Sequence, residues 1–261
     1  MIRVLFIILL FSTNAFAMSP VTIGGSSGGA TDYTADANCM GAWLMNVDST
    51  TETDRSVSSA DLTEVSGTIE TSADVPAGYS GTSRTVVIGD TEWLQDEDGG
   101  STDINGADQS LSLCIWVKYA SDPGADDNLF TKFTSVGDQR QYRLANDHST
   151  SKMYFRVSTS SASGAGYVEV LSDTDMAASA SWQHVCAVSN DIDLRIYLNG
   201  ALDCTPEAHT AGIFNGSDPL KIGGAFSGQI DEAIIFDREL SAAEVLEIYT
   251  YGIDGSNGAN D

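Results

Sequence analysis

Basic residues are scarce in this chain: 12 Lys and Arg stand against 37 Asp and Glu in 261 residues, a formal net charge of −25. Displacing counterions from phosphates or anionic headgroups takes Lys and Arg in number, so this balance disfavours nucleic-acid and anionic-membrane partners. It suits salty or calcium-rich water, where screening and cation binding relieve self-repulsion. Long apolar runs are also lacking. The one at the start, MIRVLFIILLFSTNAFA, is too short for a comfortable membrane span, and nothing later is longer, which argues against membrane insertion. Cysteine is sparing, with four residues, no CxxC pair and three scattered histidines, so a zinc site is not expected. The G-x-S-x-G string falls only within the Gly/Ser run over residues 24–29, without the strand-to-helix setting of a nucleophile elbow, so serine-hydrolase chemistry is not expected.

Arg3, the apolar run and the small-x-small ending Ala15-Phe16-Ala17 predict a secretory signal peptide over residues 1–17, cleaved after Ala17, and hence a secreted protein. Its removal makes the net charge one unit more negative, because it takes Arg3 and no acid. Residues 18–36 are Gly-, Ser- and Thr-rich and predict a flexible leader, and the polar residues 253–261 predict a disordered tail. Between them, residues 37–252 are enough for one large domain with a proper core. In an exported chain the even set Cys39, Cys114, Cys186 and Cys204 predicts two disulfides, with three connectivities open.

Strand signals recur at short spacing. Leu111, Leu113, Ile115 and Val117 alternate with Ser112, Cys114, Trp116 and Lys118, and Leu194, Ile196 and Leu198 alternate with Arg195, Tyr197 and Asn199. Asn199-Gly200 predicts a tight hairpin turn. Ser241 and Glu244 form a capping-box pair, with Leu240 and Val245 placed as a hydrophobic staple, so a short helix is predicted to start there. Acidic, glycine-rich loops are expected over 95–106 and 121–128. Many short strands and one convincing helix predict an all-β antiparallel sandwich.

The stretch SWQHVCAV, LRIYLNG, PLKIGG and FSGQIDEAIIFDRELSAAEVLEIY resembles the laminin-G-like and pentraxin-like jelly rolls of the concanavalin A-like superfamily. MGAWLMNVD, from Met40 to Asp48, resembles the first strand of that family. The resemblance implies a bridge between Cys114 and Cys186, leaving Cys39 with Cys204. It implies core positions for Trp43, Trp116, Trp182 and His184; His148 and His209 read as surface residues. Many relatives hold one structural calcium near the first and closing strands, which points to Asp48, Asp54 and Asp231 as ligands. The pentraxin double calcium site has no counterpart, because GGAFSGQID lacks its acidic insertion. The glucanase E-x-D-x-E run is also absent, and Asp231 and Glu232, being adjacent, would face opposite sides of a strand.

These features point to a non-catalytic recognition domain that binds an extracellular glycan or partner surface, assisted by calcium. Sandwich lectins stack sugars on an aromatic platform, and the candidates are Trp93, then Tyr142, Tyr154 and Tyr167. Asn215-Gly-Ser217 is a glycosylation sequon. The alternatives are a self-assembling structural subunit of an extracellular fibre, surface layer or virion, and a cryptic glycoside hydrolase.

Overall fold

The computed structural model describes residues 30–86, 92–96, 102–104, 110–120, 126–134, 139–160, 166–176 and 180–257. The predicted signal peptide, most of the predicted leader, residues 258–261 and much of the acidic stretches after Asp96 and Ala120 lie outside them.

Two antiparallel sheets stack face to face, as the alternating patterns predict. Sheet A contains β1 (Cys39–Trp43), β4 (Glu70–Ser72), β5 (Ser83–Val86), β7 (Leu111–Tyr119) and β12 (Gln183–Ser189). It is completed by β13 (Asp193–Leu198), β14 (Ala201–Leu202), β15 (Glu207–Ala208) and β17 (Gly228–Phe236). Its strands run β14-β13-β12-β7-β17-β5-β4, with β1 also on β17 and β15 on β13. Sheet B contains β2 (Thr51–Glu52), β3 (Leu62–Val65), β6 (Trp93–Asp96) and β8 (Asp127–Thr134). It continues with β9 (Gln139–Asp147), β10 (Lys152–Ser158), β11 (Tyr167–Asp175) and β16 (Lys221–Ile222), in the order β11-β10-β9-β8-β16-β6-β3-β2.

The main core lies between the sheets, filled by Leu113, Ile115, Phe130, Tyr142, Leu144, Phe155, Ile196, Ile222 and Ile235 among others. A second apolar layer covers the far side of sheet A, where helix α1 (Ala242–Tyr251) packs Val245 and Ile248 on Cys114, Cys186, Ile234 and Phe236. The centre of sheet A is therefore buried on both faces, and β7 is buried at every position but Lys118. Among the described residues sheet B has no such cover: β10 and β11 keep Arg156, Tyr167, Glu169 and Leu171 at least partly open on their outer side.

Local signals fold as expected. Asn199 (φ 51°) and Gly200 (φ 79°) both take the left-handed conformation that a two-residue hairpin needs, linking β13 to β14. Ser241 accepts from the Glu244 amide at 3.3 Å, and Glu244 accepts from the Ser241 amide at 2.7 Å, closing the capping box.

Both predicted termini need correction. Residues 30–36 are docked on the domain: Tyr33 is buried, its amide donates to the Ile253 carbonyl at 2.9 Å, and its hydroxyl donates to Glu247 at 2.9 Å. Residues 253–257 are likewise held, with Ile253 fully buried and the Asn257 carbonyl accepting from Ser80. A lone tyrosine and a lone isoleucine in polar stretches carry little periodic signal, yet each fills a gap beside α1.

Candidate functional site

Cys114 and Cys186 sit directly opposite one another on β7 and β12 and form the implied bridge. The second predicted bridge does not form; Cys39 and Cys204 are both buried free thiols. Cys39 lies on β1 beyond β17, whereas Cys204 lies beside β13, where its sulfur accepts from the Ile196 amide at 3.1 Å. Four strand spacings separate β13 from β1, roughly 19 Å, against the Cα separation of about 7 Å a disulfide can span. Burial pushes the Cys39 thiol up to about 12, so it is inert at neutral pH.

His184 is buried in β12 against Trp116 and Tyr249, as the family pattern implies. It also lies near the two bridged sulfurs, the one His/Cys/Asp/Glu group of metal-binding proximity among the described residues. Both sulfurs are spent on each other, so this is not a metal site. Desolvation lowers the His184 imidazole to about 3. The unfolded state then binds the extra proton between its ordinary value of 6.5 and 3, so His184 costs stability as pH falls through that window. At pH 5 the cost is about 2 kcal/mol. Chemical denaturation of the wild type and of His184→Leu at pH 7.5 and 5 should show the wild type losing about that much stability relative to the variant; an unchanged difference would contradict it. His209, expected at the surface, is buried directly after β15, its amide donating to the Ile192 carbonyl at 2.9 Å.

The three acids expected to bind calcium do not converge. Asp48 is exposed, Asp231 is buried in β17 opposite Trp116, and Asp54 is enclosed in the loop after β2. Asp54 already accepts five hydrogen bonds: from the amides of Ala42, Ser56 and Ala60 and the hydroxyls of Ser56 and Ser58, at 2.7–2.8 Å. Burial alone would raise its carboxyl, but these donors hold it below the ordinary carboxylate range. Asp54 is thus a loop staple. Asp54→Asn should cost about 2 kcal/mol, equally in calcium and in chelator; a loss present only in calcium would instead mark Asp54 as an ion ligand.

The aromatic candidates separate sharply. Tyr142 is fully buried in the inter-sheet core, its hydroxyl donating to the Thr102 carbonyl at 3.2 Å, and it presents no face to a sugar. Tyr154 is also buried, packed beneath Arg143 (5.2 Å) and Arg156 (5.0 Å), with its hydroxyl on Asp126. Tyr167 is exposed and stacks on Arg156 at 4.2 Å. Trp182, expected in the core, is half-buried and donates to Asp74 at 3.0 Å.

Trp93 lies on the outer face of sheet B, half-buried, its indole N–H donating to Gln95 Oε1 at 3.0 Å. It lines a cavity of about 610 Å³ together with Asn128, Thr131, Phe133, Arg143, Asp218 and Lys221. The sheet register builds this site. Gln95 pairs with Lys221, Lys221 with Thr131, Thr131 with Arg143, Arg143 with Arg156 and Arg156 with Glu169, one row across five strands from β6 to β10 and on to β11. Lys221 Nζ sits 5.8 Å from the Trp93 ring centre. Arg143 is aimed by Asn128, whose Oδ1 accepts from its Nε at 2.6 Å. Burial raises the Asp218 carboxyl, with Lys221 and Lys132 opposing. Apolar rings beside hydroxyl, amide and charged groups suit a ligand with both C–H and O–H surface.

Arg143, Lys221, Asn128 and Asp218 carried no motif. Their only trace in the sequence is that bases, rare elsewhere, cluster as Lys132, Arg140, Arg143, Lys152 and Arg156. A second cavity, of about 330 Å³, lies at the other sheet between Trp116, Trp182, Asn199 and Tyr249.

Comparison with known proteins agrees with this architecture. No curated protein matches the sequence. Among solved structures, the binding domain of Paraclostridial Mosquitocidal Protein 1 aligns with TM-score 0.59 at 14% identity, over 81% of this chain and 52% of that one. The botulinum neurotoxin serotype D ligand binding domain, in complex with N-acetylneuraminic acid, aligns with TM-score 0.56 at 12% identity, over 82% and 50%. The receptor binding domain of the mosaic serotype C/D reaches 0.61 at 11% identity, over 84% and 51%. The chain thus spans about half the length of these structures, and at such identity the likeness is one of fold. The laminin G-type family model of the superfamily matches residues 95–246, from β6 into α1. The chain belongs to the concanavalin A-like lectin/glucanase superfamily.

Proposed function

We propose that the chain is a non-catalytic, exported recognition domain whose outer sheet B face binds an extracellular saccharide, with the Trp93 cavity as the combining site. The observation that carries this is the cavity itself, where a half-buried indole and Phe133 stand beside Asn128, Thr131, Asp218, Lys221 and Arg143. Flat apolar rings cover the C–H face of a pyranose, and the polar groups read its hydroxyls. The sugar-bound toxin domain of the same fold supports the reading by analogy. The Cys114–Cys186 bridge supports export, since disulfides persist in oxidising compartments.

A glycan array tests it. Wild-type protein is expected to give discrete hits, and Trp93→Ala to weaken them about 10-fold or more. An array without hits, combined with filaments or lattices in negative stain, would replace this reading with a structural subunit. Reducing-sugar release from a bound polysaccharide would replace it with a hydrolase.

A further inference from the structure

The outer face of sheet B is unusual for this molecule. In a chain carrying −25 net charge, Arg140, Arg143, Lys152, Arg156 and Lys221 gather on β9, β10 and β16, with β8 between β9 and β16. They interleave with aromatic rings: Arg140 and Arg156 each lie 5.8 Å from Phe133, Arg156 lies 4.2 Å from Tyr167, and Lys221 lies 5.8 Å from Trp93.

Two of these cations line the cavity and are only loosely engaged by acids. Lys221 Nζ is 3.9 Å from Asp218, and Arg143 Nη2 is 3.5 Å from Asp126, both long for ion pairs. Arg156 differs, because Glu169 Oε2 accepts from both its Nε and its Nη2. The register places Lys221 and Arg143 on either side of Thr131, two strand spacings or roughly 10 Å apart. Their side chains can converge over the Thr131 hydroxyl, next to Trp93. Asn128 holds the guanidinium by its Nε, so the Nη edge, whose Nη2 lies 3.5 Å from Asp126, is the part that would turn to a ligand.

Resting on the saccharide reading, we infer that the ligand is an acidic saccharide whose carboxylate is held between Lys221 and Arg143 while its ring packs beside Trp93. A guanidinium edge matches the two oxygens of a carboxylate, and an ammonium adds a point charge at the other side. Partial withdrawal from water strengthens both contacts. The negative charge elsewhere on the protein is screened within about 8 Å at physiological salt, so it does not cancel contacts made inside the cavity. Asp218, on the cavity wall, is then the acceptor for a sugar hydroxyl.

The test titrates two matched probes into the full chain: a glucuronate-containing oligosaccharide, and the same oligosaccharide with its carboxyl reduced to a primary alcohol. A third probe carries a sulfate ester in place of the carboxylate. The carboxylate probe is expected to bind about 10- to 100-fold more tightly than the reduced one, the range of a charge-assisted contact. Lys221→Met, verified as folded by its unfolding midpoint, should weaken the carboxylate probe far more than the reduced one and so remove most of that preference. Equal binding of the two, unchanged by Lys221→Met but lost in Trp93→Ala, would overturn the acidic-ligand inference and leave the saccharide reading standing. Binding of the sulfate probe alone would assign the pair to sulfate and overturn the carboxylate. No binding of any probe, with array hits confined to neutral glycans, would overturn the inference; an empty array would overturn both.

Discussion

Replacing Cys114 and Cys186 together with Ala is expected to lower stability by about 4 kcal/mol. The bridge closes a loop of 72 residues in sequence. Chain-entropy arguments assign a loop of that length about 4 kcal/mol of destabilisation of the unfolded state. Both residues are completely buried between sheet A and α1, so truncating the two sulfurs also removes packing there. For a domain of this size the midpoint should fall by roughly 8–16 °C. Cys39→Ser and Cys204→Ser lose no cross-link and should act only through burial of a hydroxyl. Thiol titration separates the two disulfide patterns directly: two thiols are expected to react after unfolding without reductant, and none in the native state. Complete absence of reactive thiols in the unfolded chain would restore the second bridge.

Arg84→Met should cost about 3–5 kcal/mol, for a different reason. Arg84 is fully buried in β5, and it holds together the loop between β1 and β3. Its Nη1 donates to the Val47 carbonyl, and its Nη2 donates to Ser49 at 3.2 Å and pairs with Glu64, itself nearly buried. Glu52, also buried, is raised to about 7 by desolvation even with Arg84 opposing the rise. Removing the cation leaves two buried acids and two carbonyls without it, and breaking a buried pair from one side is costly where replacing both sides is not. The double change Arg84→Met with Glu64→Leu should therefore recover part of the loss. Equal stability of Arg84→Met and wild type at pH 7 would contradict this account of the loop.

The sequence was most informative where structure is local or periodic. Asn199-Gly200, the Ser241–Glu244 box and the alternating strands β7 and β13 each carry their conformation in a few neighbouring residues. The Cys114–Cys186 bridge came from the family pattern, and the remaining cysteines could not be paired by elimination. Whether Cys39 meets Cys204 depends on the order of five strands, which no window of sequence contains. Tyr142 and Tyr167 look alike as strand tyrosines, and only the stacking of the sheets makes one core and the other surface. Asp54 stands where a calcium ligand is expected, and what the pattern omits is that Ser56, Ser58 and three backbone amides consume its oxygens. At the candidate site Trp93 stood out because it borders an acidic loop. Lys221, Arg143 and Asn128 join it only through the nonlocal pairing of β6, β16, β8 and β9.

The central claim is a place: the outer face of sheet B at Trp93. A crystal of the protein soaked with the strongest saccharide from the array tests it most directly. Sugar density is expected beside Trp93, between Lys221 and Arg143 and over Thr131. Density instead in the cavity between Trp116, Trp182 and Tyr249, with the Trp93 cavity empty, would contradict it.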